Sequence, residues 1–420
     1  MSSILYRNDD SDIFVIDIPT SIAEAQSFSS ARRLASCPPQ KVTWPTTEPK
    51  SEKARSKLPK PLPHDLQHQQ LILNSIESLD GADIADYVLP RWISSGGESS
   101  VKRRRSISPG TSPSKARQSV DGKDAPLVVN LVGRNQAVFF DAEVSGRLVA
   151  NNSNETCTLR LRDGTEYYIA PRSCFFLGDC NKTQSFHGAL RQHAKDSQTD
   201  HKFHVVMMDP PWPNRSVSRG GRSSAQSRYE VSESMWDLRQ LLFDMDISSL
   251  LVDDGVVAVW VTNKSAARDL VLSEEDGLFS SLGVKLVEEW LWVKITERGE
   301  SVLPIDGVWR KPYEILLVGR KCRKENPPSH TADVKRRVIF AVPDLHSRKP
   351  CLKDLLQDLL VLPKDYRGME IFARNLVSRW TSWGNQVLKF DDIRYWRDLH
   401  EQRPEVVEAS VMSSPGLRRE

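Results

Sequence analysis

Beyond Asp179 the sequence predicts an α/β fold, in which helices pack against a sheet. Apolar runs of strand length alternate there with segments of helical periodicity, which is the pattern of an α/β layer. One of these runs, Phe203–Met208, is followed directly by an acidic residue and two prolines. Neither proline can donate a hydrogen bond to a sheet, so the strand has to end there. Open α/β sheets bind their ligands at this end of their strands.

The alternation predicts six strands and three helices in this region. The strands are expected at residues 203–208, 256–261, 286–295, 314–318, 338–342 and 369–373. The helices are expected at residues 235–245, 264–282 and 352–360. We therefore assign residues 179–400 to one domain, followed by a tail at 401–420 that is expected to be disordered.

Residues 1–94 are expected to form an accessory segment. A short strand is predicted at 12–17, and apolar spacing predicts helices at 64–79 and 83–89. Residues 95–124 contain mostly Ser, Gly, Pro and basic residues, so we predict a disordered basic linker. Its four consecutive basic residues, at 102–105, are either a nuclear address or linker charge without a role. We predict a nuclear protein, with the cytoplasm as the alternative.

Residues 125–178 are predicted to form a small antiparallel β region. Short alternating runs at 127–132, 137–140, 156–161 and 166–169 are separated by Gly, Asn and Asp. The Asp163-Gly164 pair between the last two runs is a hairpin signal.

Composition excludes several classes of protein. The net charge is only +3, so a nucleic-acid surface has to come from local clusters of basic residues. The six cysteines contain no C-x-x-C pair, and the histidines fit no zinc spacing, so we expect no metal and a reduced, intracellular setting. No apolar run reaches the length of a membrane span. We expect no membrane association and a monomer.

The segment Asp209-Pro210-Pro211-Trp212 suits chemistry at the exocyclic amine of adenine. The Asp209 carboxylate and the Pro210 carbonyl can each accept one of the two N–H bonds of that amine, which favours a tetrahedral nitrogen in the transition state. Trp212 can stack on the base, and Pro211 stiffens the turn. The alternative is a Pro-rich turn with a core tryptophan.

A basic loop follows this segment. Residues 213–229 contain Ser, Gly and four arginines but no acidic residue, which suits binding of a phosphate backbone. The alternative is a surface loop whose charge has no function. The four arginines are Arg215, Arg219, Arg222 and Arg228.

Several other polar residues are expected near Asp209. Lys349 enters a predicted helix and could pair with a ligand carboxylate, although a solvated helix-start lysine is commoner. Parallel strands that end side by side would bring further polar residues to the same edge of the sheet. These residues are Arg374, Asn375, Asn385 and Gln386.

Four segments together resemble the MT-A seventy-kilodalton family of S-adenosylmethionine-dependent adenine-N6 methyltransferases. They are the Asp-Pro-Pro-Trp segment at 209–212 and the segments at 260–263, 290–294 and 311–314. Residues 346–350, 370–390 and 16–22 are most similar to the methyltransferase-like protein 4 branch. The resemblance covers residues 174–395 strongly and the first third of the chain faintly.

The resemblance implies a Rossmann-like methyltransferase fold with permuted motif order, preceded by a small β-rich region and a partly disordered N-terminal segment. The catalytic strand comes first and the strand that binds much of the donor comes last. The cofactor implied is S-adenosylmethionine, and by match of position Asp179 and Cys180 would hold its adenine. Asp209 would touch its methionine amine as well as the target base, and Lys349 would face its carboxylate.

The resemblance also assigns the ribose and adenine of the donor to Arg374, Asn375, Asn385 and Gln386. We assign Lys311 to the nucleic-acid substrate together with the four arginines, which are assigned on the charge of their loop and not on the resemblance. Cys180 stands where relatives carry an aliphatic residue, and Gln386 stands where the branch often has Glu. The long loop after Pro213 also departs from the family pattern, which puts substrate choice in question.

The function expected is methylation of adenine N6 in nucleic acid, with RNA favoured over DNA. The branch is associated with the 2′-O-methylated adenosine of U2 small nuclear RNA and with DNA adenine, so both substrates stay open. One rival is a catalytically silent nucleic-acid-binding partner of the same fold, although such partners typically have a degraded Asp-Pro-Pro-Trp. A second is a methyltransferase of free nucleotides or protein amines.

Overall fold

A computed structural model describes residues 2–28, 32–45, 51–52, 61–93, 127–131, 137–139, 144–213, 234–307, 310–322 and 334–399. The strands, in chain order, are β1 (Ile4–Arg7), β2 (Ile13–Ile16), β3 (Arg32–Ser36), β4 (Trp92–Ile93), β5 (Val128–Leu131), β6 (Ala137–Phe139), β7 (Leu148–Asn151), β8 (Cys157–Leu161), β9 (Glu166–Ile169), β10 (Cys174–Leu177), β11 (Phe203–Met208), β12 (Leu251–Val261), β13 (Val284–Lys294), β14 (Tyr313–Lys321), β15 (Lys335–Ala341), β16 (Gly368–Ile371), β17 (Trp380–Gly384) and β18 (Trp396–Asp398).

The helices are α1 (Ile18–Ala25), α2 (Pro63–Asp80), α3 (Thr183–Ser197), α4 (Met235–Asp244), α5 (Ile247–Leu250), α6 (Ser265–Leu272), α7 (Leu278–Ser281) and α8 (Lys353–Leu359), with a 3₁₀ turn at Ile393–Tyr395.

Within the described residues, twelve strands form one mixed sheet in the order β1-β2-β15-β13-β14-β12-β11-β16-β17-β10-β7-β5. In its centre β11 runs parallel to β12 and β16, and β17 runs parallel to β16 and β10. Their carboxyl ends therefore meet along one side of the sheet, which we call the carboxyl edge. The antiparallel strand β14 starts at this same edge, because Tyr313 pairs with Val293 near the end of β13. The α/β prediction is confirmed.

Helices cover both faces of the large sheet. Helices α2, α3, α4, α6 and α7 contribute buried apolar side chains to the core on one face. Helices α1 and α8 contribute to the core on the other face. A third cluster packs β7, β8, β9 and β10 against residues that follow β16 and β17. The carboxyl edge is thus built on strands that are buried from both sides.

All six strands predicted beyond Asp179 are present, five of them with shifted ends. Residues 203–208 form a strand with the predicted bounds, whereas β12 starts five residues earlier than expected, at Leu251. The last strand stops at Ile371 instead of residue 373, because Phe372 adopts a left-handed backbone with φ of 61°. The helices predicted at 235–245 and 352–360 are confirmed to within one residue at each end.

The single helix predicted at 264–282 is wrong, since α6 and α7 occupy this range with a break between them. At the break the Ser273 hydroxyl donates to Asp276 Oδ1 at 2.6 Å and accepts from Asp276 N at 3.3 Å. The turn also brings Gly277 so close to Ser273 that a Cβ there would lie 2.3 Å from the Ser273 carbonyl oxygen. Local hydrogen bonds to a serine therefore compete successfully with the helix.

The N-terminal segment contributes directly to the large sheet. The predicted strand is present as β2, which pairs in parallel with β15, and the helix predicted at 64–79 is present as α2. The helix predicted at 83–89 is wrong, because these residues form an irregular segment with bends. Leu89 N donates to Asp17 Oδ1 at 3.2 Å, and the Tyr87 ring packs against Gly299. Contacts with distant segments therefore override the weak local pattern.

The β region at 125–178 is not a purely antiparallel sheet. Strands β5, β7 and β10 continue the large sheet, and β6, β8 and β9 form a separate three-stranded sheet. The pair β8–β9 is antiparallel as predicted. Strands β7 and β10 were not predicted and also pair antiparallel, but β5–β7 and β6–β8 are parallel. The predicted hairpin turn is confirmed, with Gly164 at φ of +84°. The division into domains stays a prediction, and the linker at 95–124, the loop residues 214–233 and the tail lie outside the described residues.

Gly368 opens β16 directly beneath the buried ring of Trp380. We expect Gly368→Ala to lower the free energy of unfolding by about 1 to 3 kcal/mol, because a Cβ there would lie 2.2 Å from this ring. Gly188→Ala in α3 is the control, since its Cβ would meet no atom closer than 4.0 Å and Ala is the better helix former. Urea denaturation of both variants measures the difference, and equal losses of stability would contradict the packing argument.

Candidate active site

Asp209 lies at the carboxyl edge, where β11 ends, and two cations hold its carboxylate. Arg374 follows β16, and its Nη1 lies 2.9 Å from Asp209 Oδ2. Lys349 precedes α8, and its Nζ lies 3.6 Å from Asp209 Oδ1. Each of the three side chains is only 17% exposed. The predicted approach of Arg374 to Asp209 is observed, and it follows from the parallel pairing of β11 with β16.

The turn after Asp209 is fixed by two hydrogen bonds. Trp212 N donates to Pro210 O at 2.8 Å, which closes a tight turn around Pro211. The indole Nε1 of Trp212 donates to Trp260 O at 2.8 Å, at the end of the neighbouring strand β12. A carbonyl oxygen has two lone pairs, so Pro210 O keeps acceptor capacity for a ligand amine. The half-buried Trp212 ring is therefore held against the end of β12, three residues after Asp209 in the chain.

A chain of alternating charges extends from Asp209 along the β12–β13 side of the edge. Lys349 Nζ also contacts Glu314 Oε2, and Lys294 Nζ lies 2.7 Å from Glu314 Oε1. The Lys349 ammonium sits 4.8 Å from the ring centroid of Trp260, within the range of a cation–π contact. Lys294 lies 4.9 Å from the Trp292 ring. Two tryptophans and two lysines thus surround one carboxylate.

The pKa values of this chain of charges reflect its pairing. Burial alone would raise the pKa of Glu314, but the ammonium groups of Lys349 and Lys294 hold it at about 2. Burial likewise disfavours a charged Lys349, but the Asp209 and Glu314 carboxylates raise its pKa above the ordinary value. Both groups are therefore charged at neutral pH. The sequence analysis assigned no role to Glu314 or Lys294. Each is a charged residue at one end of an otherwise apolar strand, and this pattern could have marked both as site residues.

Glu370 is a second acid next to Asp209 that sequence analysis did not assign. It lies on β16 opposite Met207, two residues before Asp209 on the adjacent strand. Burial and the negative charge of Asp209 raise the pKa of Glu370 to about 7, and the Arg374 guanidinium only partly opposes this. Its protonation therefore changes near neutral pH.

The ends of β10 and β17 form the other side of the edge. Gly178 N donates to Gly384 O at 3.2 Å, which joins these two strand ends, and Asp179 follows directly with its Oδ1 accepting from Asn181 N at 3.0 Å. Gln386 Oε1 is buried without a hydrogen-bond partner in the part of the chain that the structure describes. A buried acceptor of this kind is costly unless a ligand donates to it. These residues therefore fit a ligand rich in N–H and O–H groups, as the adenosine of S-adenosylmethionine is.

The other residues predicted to bind the donor also lie at the carboxyl edge, but their contacts do not identify a ligand. Burial raises the pKa of the Cys180 thiol, which therefore stays uncharged at neutral pH. Asn375 Nδ2 donates locally to Leu376 O at 3.3 Å. Asn385 is half-buried beside Gln386. The assignment of these residues to the donor stays a prediction.

The residues predicted to bind nucleic acid are only partly described. The four arginines lie outside the described residues. Lys311 lies just before β14, at the carboxyl edge, and its Nζ contacts Asp65 Oδ1 at the start of α2. A phosphate at Lys311 would therefore have to compete with this carboxylate.

Metal ligation and membrane insertion find no support in the described residues. No three His, Cys, Asp or Glu side chains come together there in a way that could hold a metal ion. None of the described helices combines the length and the apolar character needed to span a bilayer.

Glu370 provides a test by pH. Its folded pKa of about 7 lies above the ordinary 4.5, so the folded state binds this proton more tightly than the unfolded state does. Protonated Glu370 therefore adds to the free energy of unfolding, and this contribution is complete below about pH 4.5. It is lost as the pH rises through 7, at a rate of at most about 1.4 kcal/mol per pH unit. Glu370→Gln cannot ionise, so the wild type should lose stability relative to this variant over that window. Urea unfolding at several pH values measures the difference, and a flat difference would contradict the raised pKa of Glu370.

Comparison with known proteins identifies the family. The MT-A70 family profile matches residues 203–386, which run from β11 past the end of β17. The chain is 34% identical to the N6-methyladenosine RNA methyltransferase MTA1 of Pyricularia oryzae over 433 aligned positions, covering 96% of this chain and 98% of that protein. It is 37% identical to the N(6)-adenine-specific methyltransferase METTL4 of Homo sapiens over 257 positions, covering 60% of this chain and 49% of that protein. A DNA N6-methyl methyltransferase of Caenorhabditis elegans is 29% identical over 218 positions, or 51% of each chain. The intact Asp-Pro-Pro-Trp segment at the carboxyl edge and this similarity together show that the chain belongs to the MT-A70 family.

Proposed function

We propose that this enzyme transfers a methyl group from S-adenosylmethionine to N6 of adenine in RNA. The observation that carries the proposal is the geometry of Asp209, whose carboxylate is held by Arg374 and Lys349 next to the fixed Pro210–Trp212 turn. Relatives that are named for adenine-N6 methylation support the same chemistry.

The chain's own residues would orient the target amine. Each oxygen of a carboxylate can accept more than one hydrogen bond, so Asp209 retains acceptor capacity beside its two cations. Asp209 and the Pro210 carbonyl would then accept the two N–H bonds of the amine and favour its tetrahedral form, in which the lone pair is free to react. The adjacent Trp212 ring, anchored to Trp260 O, offers a stacking surface for the base.

The donor would bind on the other side of Asp209. When bound, S-adenosylmethionine supplies an electrophilic methyl group. The Lys349 ammonium, which lies at the carboxyl edge, would face its carboxylate, and the donor would have to compete there with Glu314 and with Asp209 at 3.6 Å. Asp179 suits its adenosine, as does Gln386 Oε1, which has no hydrogen-bond partner among the described residues.

RNA is the favoured substrate over DNA. The relative that aligns with 96% of this chain is named an RNA methyltransferase, whereas the one named for DNA aligns with 51%. A 2′-O-methylated adenosine, as in U2 small nuclear RNA, is the finer proposal within RNA. A catalytically silent partner is disfavoured because the Asp209–Trp212 turn is intact and ordered by hydrogen bonds.

Asp209→Asn should lower methyl transfer by roughly a hundred- to a thousandfold while the protein stays folded, because one oriented acceptor is removed. The assay supplies labelled donor with separate RNA and DNA pools, including RNA with and without a 2′-O-methyl group, and identifies the modified nucleoside. Asp254→Asn is the control, since Asp254 lies early in β12, away from the carboxyl edge, with a φ of 70° that Asn tolerates. Near-normal turnover by Asp209→Asn would refute its role.

Substitutions in the basic loop test whether the substrate is a nucleic acid. Replacement of its four arginines by Gln should flatten the dependence of RNA affinity on salt, by about 0.7 to 0.9 in log–log slope for each phosphate that the loop no longer binds. Donor affinity should not change, because Lys349 and Gln386 lie elsewhere in the chain. RNA binding across a salt series measures the slopes, and identical slopes would favour a small-molecule substrate instead. The arginines are Arg215, Arg219, Arg222 and Arg228.

A further inference from the structure

The turn at residues 374–376 carries two of the predicted donor contacts and is held from behind by the chain's last described segment. Phe390 N donates to Arg374 O at 3.0 Å. Leu376 N donates to both carboxylate oxygens of Asp391, at 3.2 and 3.1 Å. Asp391 and Leu376 are completely buried. The backbone that places Arg374 and Asn375 therefore depends on an acid that lies behind it.

Asp391 is in turn anchored to the N-terminal helix. Gln26 caps the end of α1 and is completely buried, and its Nε2 donates to Asp391 Oδ1 at 2.8 Å. Next to it, Ser378 N donates to Ala25 O at 2.8 Å. The two contacts fix the turn at 374–376, and the residues after it, to a helix that is about 350 residues away in sequence.

We propose that Asp391, anchored by Gln26, is a positioning residue for the methyl donor. It fixes the backbone at Leu376 and so sets Arg374 and Asn375 at the carboxyl edge. The inference rests on the proposed function, because it takes the donor to bind at Arg374 and Asn375. Asp391 itself acts only through the turn.

The chemistry of the contact explains why an acceptor is needed at this position. Leu376 N is a buried backbone donor, and leaving such a donor without a partner costs far more than an ordinary exposed bond contributes. An alternative backbone conformation that satisfied this N–H would move Arg374 away from Asp209. Burial raises the pKa of Asp391 well above its ordinary value. An asparagine keeps one side-chain oxygen at this position and can therefore still accept from Leu376 N.

The test compares the binding of donor and of RNA. Asp391→Ala should raise the donor Kd, measured by calorimetry, by about tenfold or more, and should raise the donor KM while the RNA Kd stays unchanged. Asp391→Asn keeps an acceptor for Leu376 N and should bind donor within about threefold of the wild type. Gln26→Ala leaves the Leu376 contact but removes its anchor, so a weaker loss of donor affinity is expected.

Glu288→Gln is the matched control. Glu288 is also a buried acid with three N–H donors, namely Arg337 Nε at 2.6 Å, Arg337 Nη2 at 2.9 Å and Trp290 Nε1 at 2.7 Å. It lies on β13, four strands away from β16. This variant should lose stability without losing donor affinity.

The inference is overturned if Asp391→Ala binds donor within twofold of the wild type, if Asp391→Asn is as weak as Asp391→Ala, or if Glu288→Gln weakens the donor equally. Should Asp391→Ala not fold, Gln26→Ala decides: unchanged donor affinity overturns the inference, and a selective loss of donor affinity supports it. A wild type that binds no donor, or binds donor but methylates no adenine, contradicts the proposed function instead.

Discussion

The Asp209 carboxylate is the point on which the charged residues of the site converge. A partly buried charge has to be paired, and Asp209 is paired with Arg374 and Lys349, which are 165 and 140 residues away in sequence. The parallel pairing of β11 with β16 brings Arg374 alongside, and the segment before α8 supplies Lys349. Without that strand order the negative charge of Asp209 would lose the positive charge of Arg374 at the carboxyl edge.

Asp209 also marks a boundary between two chemically different sides of the sheet edge. Strands β12, β14 and β13 lie to one side, where β12 and β13 end near Trp260, Trp292 and Lys294, and β14 carries Glu314 at its start. Strands β16, β17 and β10 lie to the other side and end in amides and Asp179. An aromatic wall suits a planar base, and a set of polar groups suits a nucleoside donor, so a single carboxylate between them can serve both.

The N-terminal segment is structurally continuous with the site. Strand β2 extends the sheet beside β15, and Gln26 at the end of α1 supports the turn that carries Arg374. Helix α2 is fixed by the buried contact between His68 Nε2 and Glu289 Oε2 at 2.8 Å, where the Arg268 guanidinium and His68 offset burial and hold the pKa of Glu289 at about 2. The N-terminal segment therefore resembles the family only faintly in sequence, but it is an integral part of the fold.

The sequence alone determined the features that are local in the chain. These are the buried strand at Phe203–Met208, the stiff turn after it, the positions of most strands and the family resemblance. The tertiary structure decided which distant groups meet: Glu314 with two lysines, Lys311 with Asp65, and Asp391 with Gln26. It also placed β5, β7 and β10 in the large sheet and broke the helix at Ser273. Periodicity and turn residues act over a few positions, whereas strand order and buried ion pairs depend on packing between segments that are tens to hundreds of residues apart.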